Sequence, residues 1–480
     1  MEKYVGPNEE VLEAQARVCT GPHQSRPLGV KEGDPEPGRI LELILQSLRG
    51  ELPQEEQVSE AQMGAFFAAM TLRRGFDKKT GWSAAEARAF AQYGGALERH
   101  LTEDLKFLLD PERELLVSGQ EEEQVGAALR HILRGRHLSY AQTRQILEAM
   151  LGGGVRPALM AAVLIGQRMN IEDEEEVRAY LDAVLRPEEA MAVEVDSLTH
   201  FGQPFDGATR YWRPTLFVAA VRAALGRPSV LHGVDEMPPK QGVTEEQVFK
   251  VLGARTDLSR AQAALLLEDR EVGMAYVSQR EYAPGAYRLA ALRLHIKKRP
   301  PWATTEKAQQ LFICPGPSYM VIGFYHAGYE DKLLRLMWER GFQTGLVIKG
   351  EEGSSHYALR LGKPSGEGRK AINFTQGFRR VDGQRQDFAA DIDPVEFGFK
   401  YEQSPRPEQI NPQAFAELGM AALSGVQGHI YDRIVFNAAM TDYWLGLCKT
   451  PGEALEQARA AVDSGDALAH LQRYIKQSHL

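Results

Sequence analysis

From about Met191 onward the chain alternates short apolar runs with longer amphipathic stretches, and this alternation limits the possible folds more than any other feature. The runs PSVLHG, MAYVS, QLFICPG, TGLVIKG and the mixed AINF have strand length. Between them PTLFVAAVRAALG, EEQVFKVLG, SRAQAALLLED and YEDKLLRLMWERG carry helical spacing. Strands interleaved with helices predict an α/β domain built on a mixed sheet, over residues 191–480. Its end returns to helix in PQAFAELGMAALSG, YDRIVFNAAMTDYWLGLC and TPGEALEQARAAVDSGDALAHLQRYI, the last with Thr450 as N-cap ahead of Pro451.

The text before Met191 is helical. VSEAQMGAFFAAMTLRR (58–74) and VRPALMAAVLIGQRMN (155–170) share a small-apolar pattern, LQSLRGELPQEE (45–56) matches HILRGRHLSYAQ (131–142), and an acidic helix follows each. We read an internal duplication of a small all-helical unit, copy 1 over 39–122 and copy 2 over 123–190. Residues 1–38, rich in Gly, Pro and Glu, are expected to form a disordered tail.

A chain of 480 residues exceeds what one core usually covers, so two or three domains are expected. Cys19, Cys314 and Cys448 lie far apart without a CxxC pair, which suggests neither a disulfide framework nor a zinc site and fits a reducing, cytoplasmic compartment. No membrane span and no secretory or transit signal is expected. The net charge of −9 gives no global pull toward nucleic acid, so any anion site must be a local patch.

Three stretches carry candidate chemistry. In LHGVDEMPPKQGVTEEQVFKVLG a strand runs through His232 and Gly233 into a punctuated loop and a helix start, the order of parts that makes a phosphate grip. RLAALRLHIKKRPPW places Arg288, Arg293, His295, Lys297, Lys298 and Arg299 beside Trp302, a pattern suited to phosphate-rich ligands and equally to a solvated helix end. Asp206, Arg210, Tyr211, Trp212 and Arg213 cluster in a third, where Trp212 can stack on a ligand ring or staple its loop to the core. GFRRVDGQRQ reads as an exposed basic loop, and no metal site is proposed from the histidines.

Over roughly residues 126–475 the chain resembles the anthranilate phosphoribosyltransferase family, glycosyltransferase family 3. The resemblance rests on LRHILRGRHLSYAQTRQILEAML, LHG followed by VFKVLG, YAPGAYRLAALR, VIKGEEG and DRIVFNAAM followed by EALEQARAAVDSGDALAHL. It implies a nucleoside phosphorylase/phosphoribosyltransferase-like fold, with a small helical domain, a larger α/β domain, a ligand cleft between them and dimerisation through the helical part.

The family's three catalytic loops are altered here. Its glycine turn under the pyrophosphate corresponds to DSLTHFGQPFDGATRYWRPT, which keeps only Gly202 and Gly207. Its second loop corresponds to Leu231–Asp235, with Pro238 and Pro239 where two serines stand, and proline supplies neither an N–H nor a hydroxyl. Its magnesium-binding Asp-Glu pair corresponds to Ser355 and His356, with Glu351 and Glu352 just upstream as possible substitutes in a shifted loop. Arg293 coincides with the arginine by which the family contacts its aromatic acid acceptor, and Arg299 with a second family arginine.

A branch of the family that includes DNA-binding paralogues also resembles FDGATRYWRPTLFVAAVRAALGRPSVLHG. The leading expectation is therefore an altered homologue that binds an anionic small molecule or nucleic acid. Its ligand residues would be Arg210, Arg213, His232, Gly233, Arg293, Lys297, Lys298 and Arg299. The alternative is an active phosphoribosyl- or pentosyltransferase of tryptophan biosynthesis using His232, Glu351, Glu352 and Mg2+.

Overall fold

The computed structural model describes residues 7–116, 119–365, 368–369 and 372–480. It divides into two compact units, Met1–Val184 with Gly285–Ala303 and Leu185–Pro284 with Thr304–Leu480.

The first unit is built from α1 (Glu9–Val18), α2 (Pro37–Leu48), α3 (Glu60–Arg73), α4 (Ala84–His100), α5 (Glu103–Leu109), α6 (Gln120–Ile132), α7 (Tyr140–Gly152), α8 (Pro157–Asn170) and α9 (Glu174–Val184). Its centre is the pair α3 and α8, the two segments whose sequences match. Both are apolar nearly all round, the pattern of a helix buried on every face. They approach so closely that a Cβ on Gly64 would lie 2.1 Å from the Ala158 carbonyl oxygen. A 3-10 turn, Gln54–Glu56, precedes α3, whereas the full helix α7 precedes α8.

Two expectations about boundaries are corrected. Of the expected disordered tail, residues 1–6 lie outside the described residues, and residues 7–38 are not disordered. Asn8 caps α1 by accepting from the Val11 N–H, and Val11, Ala14, Gln15 and Val18 are buried against the helical core. The glycines and prolines flank this helix rather than dissolve it. Residues 191–480 are also not one continuous α/β domain, because Gly285–Ala303 returns to the helical unit. There the His295 Nδ1 bonds the Ser59 hydroxyl at 2.9 Å, the Lys297 N–H donates to Gln15 at 3.0 Å, and Trp302 meets Tyr180 edge-on at 5.1 Å.

The second unit carries a seven-stranded mixed sheet among the described residues. Its strands are β1 (Leu198–Gly202), β2 (Ser229–Gly233), β3 (Met274–Ser278), β4 (Ser318–Gly323), β5 (Thr344–Ile348), β6 (Phe374–Val381) and β7 (Gln384–Asp391), in the order β7-β6-β5-β4-β1-β2-β3. β1 to β5 are mutually parallel; β6 and β7 add an antiparallel hairpin. The chain moves outward from β1 through β2 to β3, then crosses to β4 on the other side of β1. Ligands of open parallel sheets gather beyond the carboxyl ends of the strands at such a reversal.

The sequence reading found β2, β3 and β5 but missed β1 and β4. It took Phe312–Ile313 for a sheet strand, and these residues instead pair with Met191–Ala192 outside the main sheet. The expected basic loop GFRRVDGQRQ is the β6–β7 hairpin, turning through Asp382 and Gly383, both at positive φ. Helices α10 (Thr215–Ala224), α11 (Glu245–Val251), α12 (Arg260–Glu268), α13 (Tyr329–Glu339), α14 (Pro412–Leu423), α15 (His429–Leu445), α16 (Pro451–Asp463) and α17 (Asp466–Gln477) complete the unit. No helix among the described residues is long and apolar enough to cross a membrane.

Candidate functional site

Three loops leave the carboxyl ends of β1, β2 and β5. The first departs at Gly202, where a Cβ would lie 2.1 Å from the Lys307 carbonyl oxygen, and turns at Gly207 with φ +73°. It is stitched to the second, since Ala208 and Val243 exchange N–H···O bonds of 2.8 Å and the Gly242 N–H donates to Asp206 at 3.0 Å. A Cβ on Gly207 would sit 2.3 Å from the Gly242 oxygen, and one on Gly242 would sit 2.6 Å from the Ala208 oxygen. These glycines serve the close approach of two backbones. Buried Arg213 fastens the same turn, donating to the Gly207 and Pro204 carbonyls at 2.7 and 3.3 Å.

Beyond the turn, the backbone N–H groups of Thr209, Arg210 and Tyr211 converge on a single group, the Glu352 carboxylate from the third loop. One oxygen accepts from the Thr209 N–H at 3.1 Å and its hydroxyl at 2.9 Å, with the Lys240 ammonium at 3.4 Å. The other accepts from the Arg210 and Tyr211 N–H groups at 3.1 Å each. Successive N–H groups aimed at one point form an anion nest. Burial alone would raise the Glu352 pKa. The Lys240 charge, the Thr209 N–H and hydroxyl and the Arg213 charge outweigh it and bring the group down to about 2. Glu352 reaches the nest from a left-handed backbone, φ +55°, with Gly353 following at +78°.

The neighbouring carboxylate is also committed. Glu351 pairs with buried Arg433 at 3.1 Å and with Arg360 at 3.0 Å, and accepts from the Ser404 hydroxyl. Ser355 and His356 sit inside a buried set with Gln203, which donates to the Ser355 oxygen, while His356 Nδ1 lies 3.0 Å from that oxygen. Burial, then Arg433 and Arg213, hold the His356 pKa well below its usual range. Magnesium requires hard, preferably anionic oxygens with room for water. Here one carboxylate is paired with two guanidiniums, the other fills the nest, and the two remaining side chains are neutral and enclosed. The residues present do not fit the ion, and the expected substitution of Glu351 and Glu352 as its ligands is corrected accordingly.

His232 lies on β2 with its ring edge-on to Phe205 and Tyr282, and neither ring nitrogen has a hydrogen-bond partner among the described residues. Burial, aided by His200, lowers its pKa to about 3, so it is neutral, and no carboxylate orients it as a base. Gly233 ends the same strand. Trp212 is a core residue, stacked on Phe217 and donating to the Phe415 carbonyl at 3.0 Å, which settles its role as a staple. Arg210 remains available, its side chain 58% exposed.

The other four expected ligand residues, Arg293, Lys297, Lys298 and Arg299, belong to the helical unit. The basic stripe is partly a packing seam there. Arg293 and His295 are buried, the Arg299 carbonyl accepts from Arg168 at 3.0 Å, and burial lowers the half-buried Lys298. Only Lys297 of the four is exposed. Sequence reasoning passed over Thr209, Lys240, Arg406 and Arg433. Arg406 donates to the Tyr211 hydroxyl at 3.0 Å and, like Arg210, lies over its ring, giving an exposed Arg–Tyr–Arg rim beside the nest. A pair of glutamates between glycines, GEEGS, was the available signal for the third loop.

The chain thus combines a mixed sheet, whose polar loops meet at its parallel carboxyl edge, with an all-α N-terminal unit. Residues 127–186 match the glycosyl transferase family, helical bundle domain. Anthranilate phosphoribosyltransferase from Stenotrophomonas maltophilia is 25% identical over 354 residues, covering 72% of this chain and 96% of the relative. That from Pelotomaculum thermopropionicum is 26% identical over 357 residues, covering 73% and 95%. The solved enzyme from Thermus thermophilus superposes with a TM-score of 0.59 at 19% identity, covering 74% of this chain and 99% of its own. The Saccharomyces cerevisiae enzyme, in complex with PRPP and Mg, gives 0.60 at 14% identity, covering 75% and 98%. Over 72–75% of its length the chain is thus similar to anthranilate phosphoribosyltransferases.

Proposed function

We propose that this chain is a phosphoribosyltransferase-like binding protein whose donor loops have become an internal oxyanion clamp, so that it does not carry out magnesium-dependent phosphoribosyl transfer. The observation that carries this reading is the Glu352 carboxylate held by three consecutive backbone N–H groups and Lys240. Phosphoribosyl transfer depends on preorganised charge around the leaving pyrophosphate, and each such contact is worth roughly 2.7–4 kcal/mol in a transition state. Here the positive groups face the protein's own carboxylates. What remains directed outward is the rim of Arg210, Tyr211 and Arg406, suited to an anionic ligand with a planar face. Incubation with phosphoribosyl pyrophosphate, anthranilate and Mg2+ should release no pyrophosphate; magnesium-dependent turnover would overturn the reading.

A second reading is favoured by the sequence relatives, which are anthranilate phosphoribosyltransferases matched almost end to end. In it the chain is an active transferase with a remodelled donor site. Complementation of a strain lacking that step of tryptophan biosynthesis would support it and displace the first.

A further inference from the structure

α3 ends in two consecutive arginines with opposite fates. Arg73 turns inward, where it is fully buried and pairs with Glu86 at 2.7 Å. Arg74 turns outward over the Trp82 ring, 5.1 Å from its centroid, and donates to the Leu109 carbonyl at 2.6 Å. The two residues Arg74 and Trp82 border a groove of about 400 Å3 that follows α4 and is lined also by residues of α5 and the turn beyond it. The groove exists because α4 presents small residues at helical spacing. Ala87, Ala91 and Gly94 fall at i, i+4 and i+7, on one face, and leave space beside Phe90, Leu97 and Leu101. A Cβ added at Gly94 would meet nothing within 4 Å. All the lining residues lie between 74 and 113, before the segment 127–186 that matches the helical bundle domain.

We propose that this groove is a binding site for a small aliphatic carboxylate, whose charged end meets Arg74 and whose chain lies along Phe90, Gly94 and Leu97. It does not depend on the reading of the donor loops, which lie in the other unit.

Charge complementarity selects the anion. The other charged side chains of the groove are matched within the protein: Arg113 is bidentate to Glu98 at 2.8 and 2.9 Å and lies 3.5 Å from Asp110, and Lys106 bonds Glu103 at 2.7 Å. Arg74 is the lining cation with no carboxylate within 4.0 Å among the described residues. Its surroundings withdraw water from the guanidinium and lower its pKa against the opposing charge of Asp110. A partly desolvated guanidinium with N–H donors to spare is suited to a ligand carboxylate, which can accept two of them at once. Shape selects the aliphatic chain. Positions 87 to 101 span about 21 Å of helix at 1.5 Å per residue, so the groove is long. Trp82, the ring beside the cation, is already engaged by Arg74 and by Phe90, whose centroid lies 4.6 Å away. An extended chain therefore follows the groove better than a stacked ring. The volume lies in the range of small-molecule sites, about 300–1,000 Å3.

The test is calorimetric titration of the full chain with octanoate, and with 1-octanol as its uncharged counterpart, for wild type, Arg74→Gln, Gly94→Leu and Gly95→Leu. Gly95 is the matched control, since a Cβ there also meets nothing within 4 Å but the residue does not line the groove. Both leucines replace a glycine inside α4, so neither should lower the melting temperature. Wild type and Gly95→Leu should bind octanoate at least tenfold more tightly than 1-octanol. Arg74→Gln should lose that preference, and Gly94→Leu should lose octanoate binding. If Gly94→Leu lowers the melting temperature, Ala91→Leu fills the groove from the same face and makes the same comparison. Equal affinity of wild type for the acid and the alcohol would overturn the proposal. So would octanoate binding that survives filling of the groove, or no saturable binding to wild type at millimolar octanoate.

Discussion

Replacing Glu352 with Gln keeps the shape of the side chain and one acceptor oxygen while removing the charge. In the folded chain the carboxyl is lowered from 4.5 to about 2. At 1.36 kcal/mol per pH unit, a lowering of that size makes the ionised form about 3 kcal/mol more favourable in the folded state. Solvent reaches the nest past the exposed Arg210 side chain and screens part of the attraction, so about 2 kcal/mol is the expected local effect at pH 7. The sign follows from the direction: a depressed carboxyl contributes stability above its unfolded value, and that contribution fades as pH falls from 4.5 toward 2. Hydrogen exchange followed by mass spectrometry reads it at the nest itself. Protection of the Thr209, Arg210 and Tyr211 amides should be about 30-fold lower in Glu352→Gln than in wild type at pH 7, since each 1.4 kcal/mol is a factor of ten. The difference between the two proteins should narrow steadily as the comparison is repeated from pH 4.5 down toward pH 2. Protection within threefold of wild type at pH 7, or a difference independent of pH, would refute the electrostatic account of the nest.

Other consequences are open to simpler measurements. Glu351→Gln leaves Arg433, 1% exposed, without its anion and should destabilise the α/β unit by about 3–5 kcal/mol in urea unfolding, with partial recovery in Glu351→Gln/Arg433→Met. Gly64→Val must push apart α3 and α8, because the new Cβ starts 2.1 Å from a carbonyl oxygen; overpacking of this kind costs about 1–3 kcal/mol and should lower the melting temperature of the helical unit by several degrees. His232 is held neutral with a pKa of about 3, so the unfolded chain takes up its proton first and stability is lost as pH falls from 6.5 toward 3. His232→Leu should flatten that part of the stability profile, and an unchanged profile would show that His232 is not its source.

The fold was legible where local pattern and long-range packing agree. α3 and α8 announced themselves as buried helices because they are apolar on every face, and β2, β3 and β5 because short aliphatic runs end at glycines or turns. β1 was missed because LTHFG carries Thr199 and His200, both of which the structure buries at the centre of the sheet. α1 was missed because the glycines and prolines around EEVLEAQARV dominated its composition. The return of Gly285–Ala303 to the helical unit depends on contacts such as His295 with Ser59, 236 residues apart, that no local pattern encodes.

The candidate site divides along the same line. That Pro238 and Pro239 offer neither an N–H nor a hydroxyl to a ligand can be read from the sequence alone. The new occupant of the nest cannot, because Glu352 lies 141–143 residues from its three backbone donors and the donors themselves have no sequence signature. Arg210 was singled out from its side chain, yet it is its main-chain N–H that grips Glu352. Gly207 and Gly242 likewise look like relics of a phosphate loop and instead permit two loops to touch.

The most direct measurement of the central claim is a crystal structure of the full chain grown without phosphate or sulfate, then soaked with phosphoribosyl pyrophosphate and Mg2+. The account predicts that Glu351 keeps its bonds to Arg433 and Arg360, that Ser355 and His356 hold no metal, and that Glu352 stays in the Thr209–Tyr211 nest. Magnesium coordinated by Glu351 or Glu352, with the pyrophosphate laid along Gly202–Gly207, would contradict it.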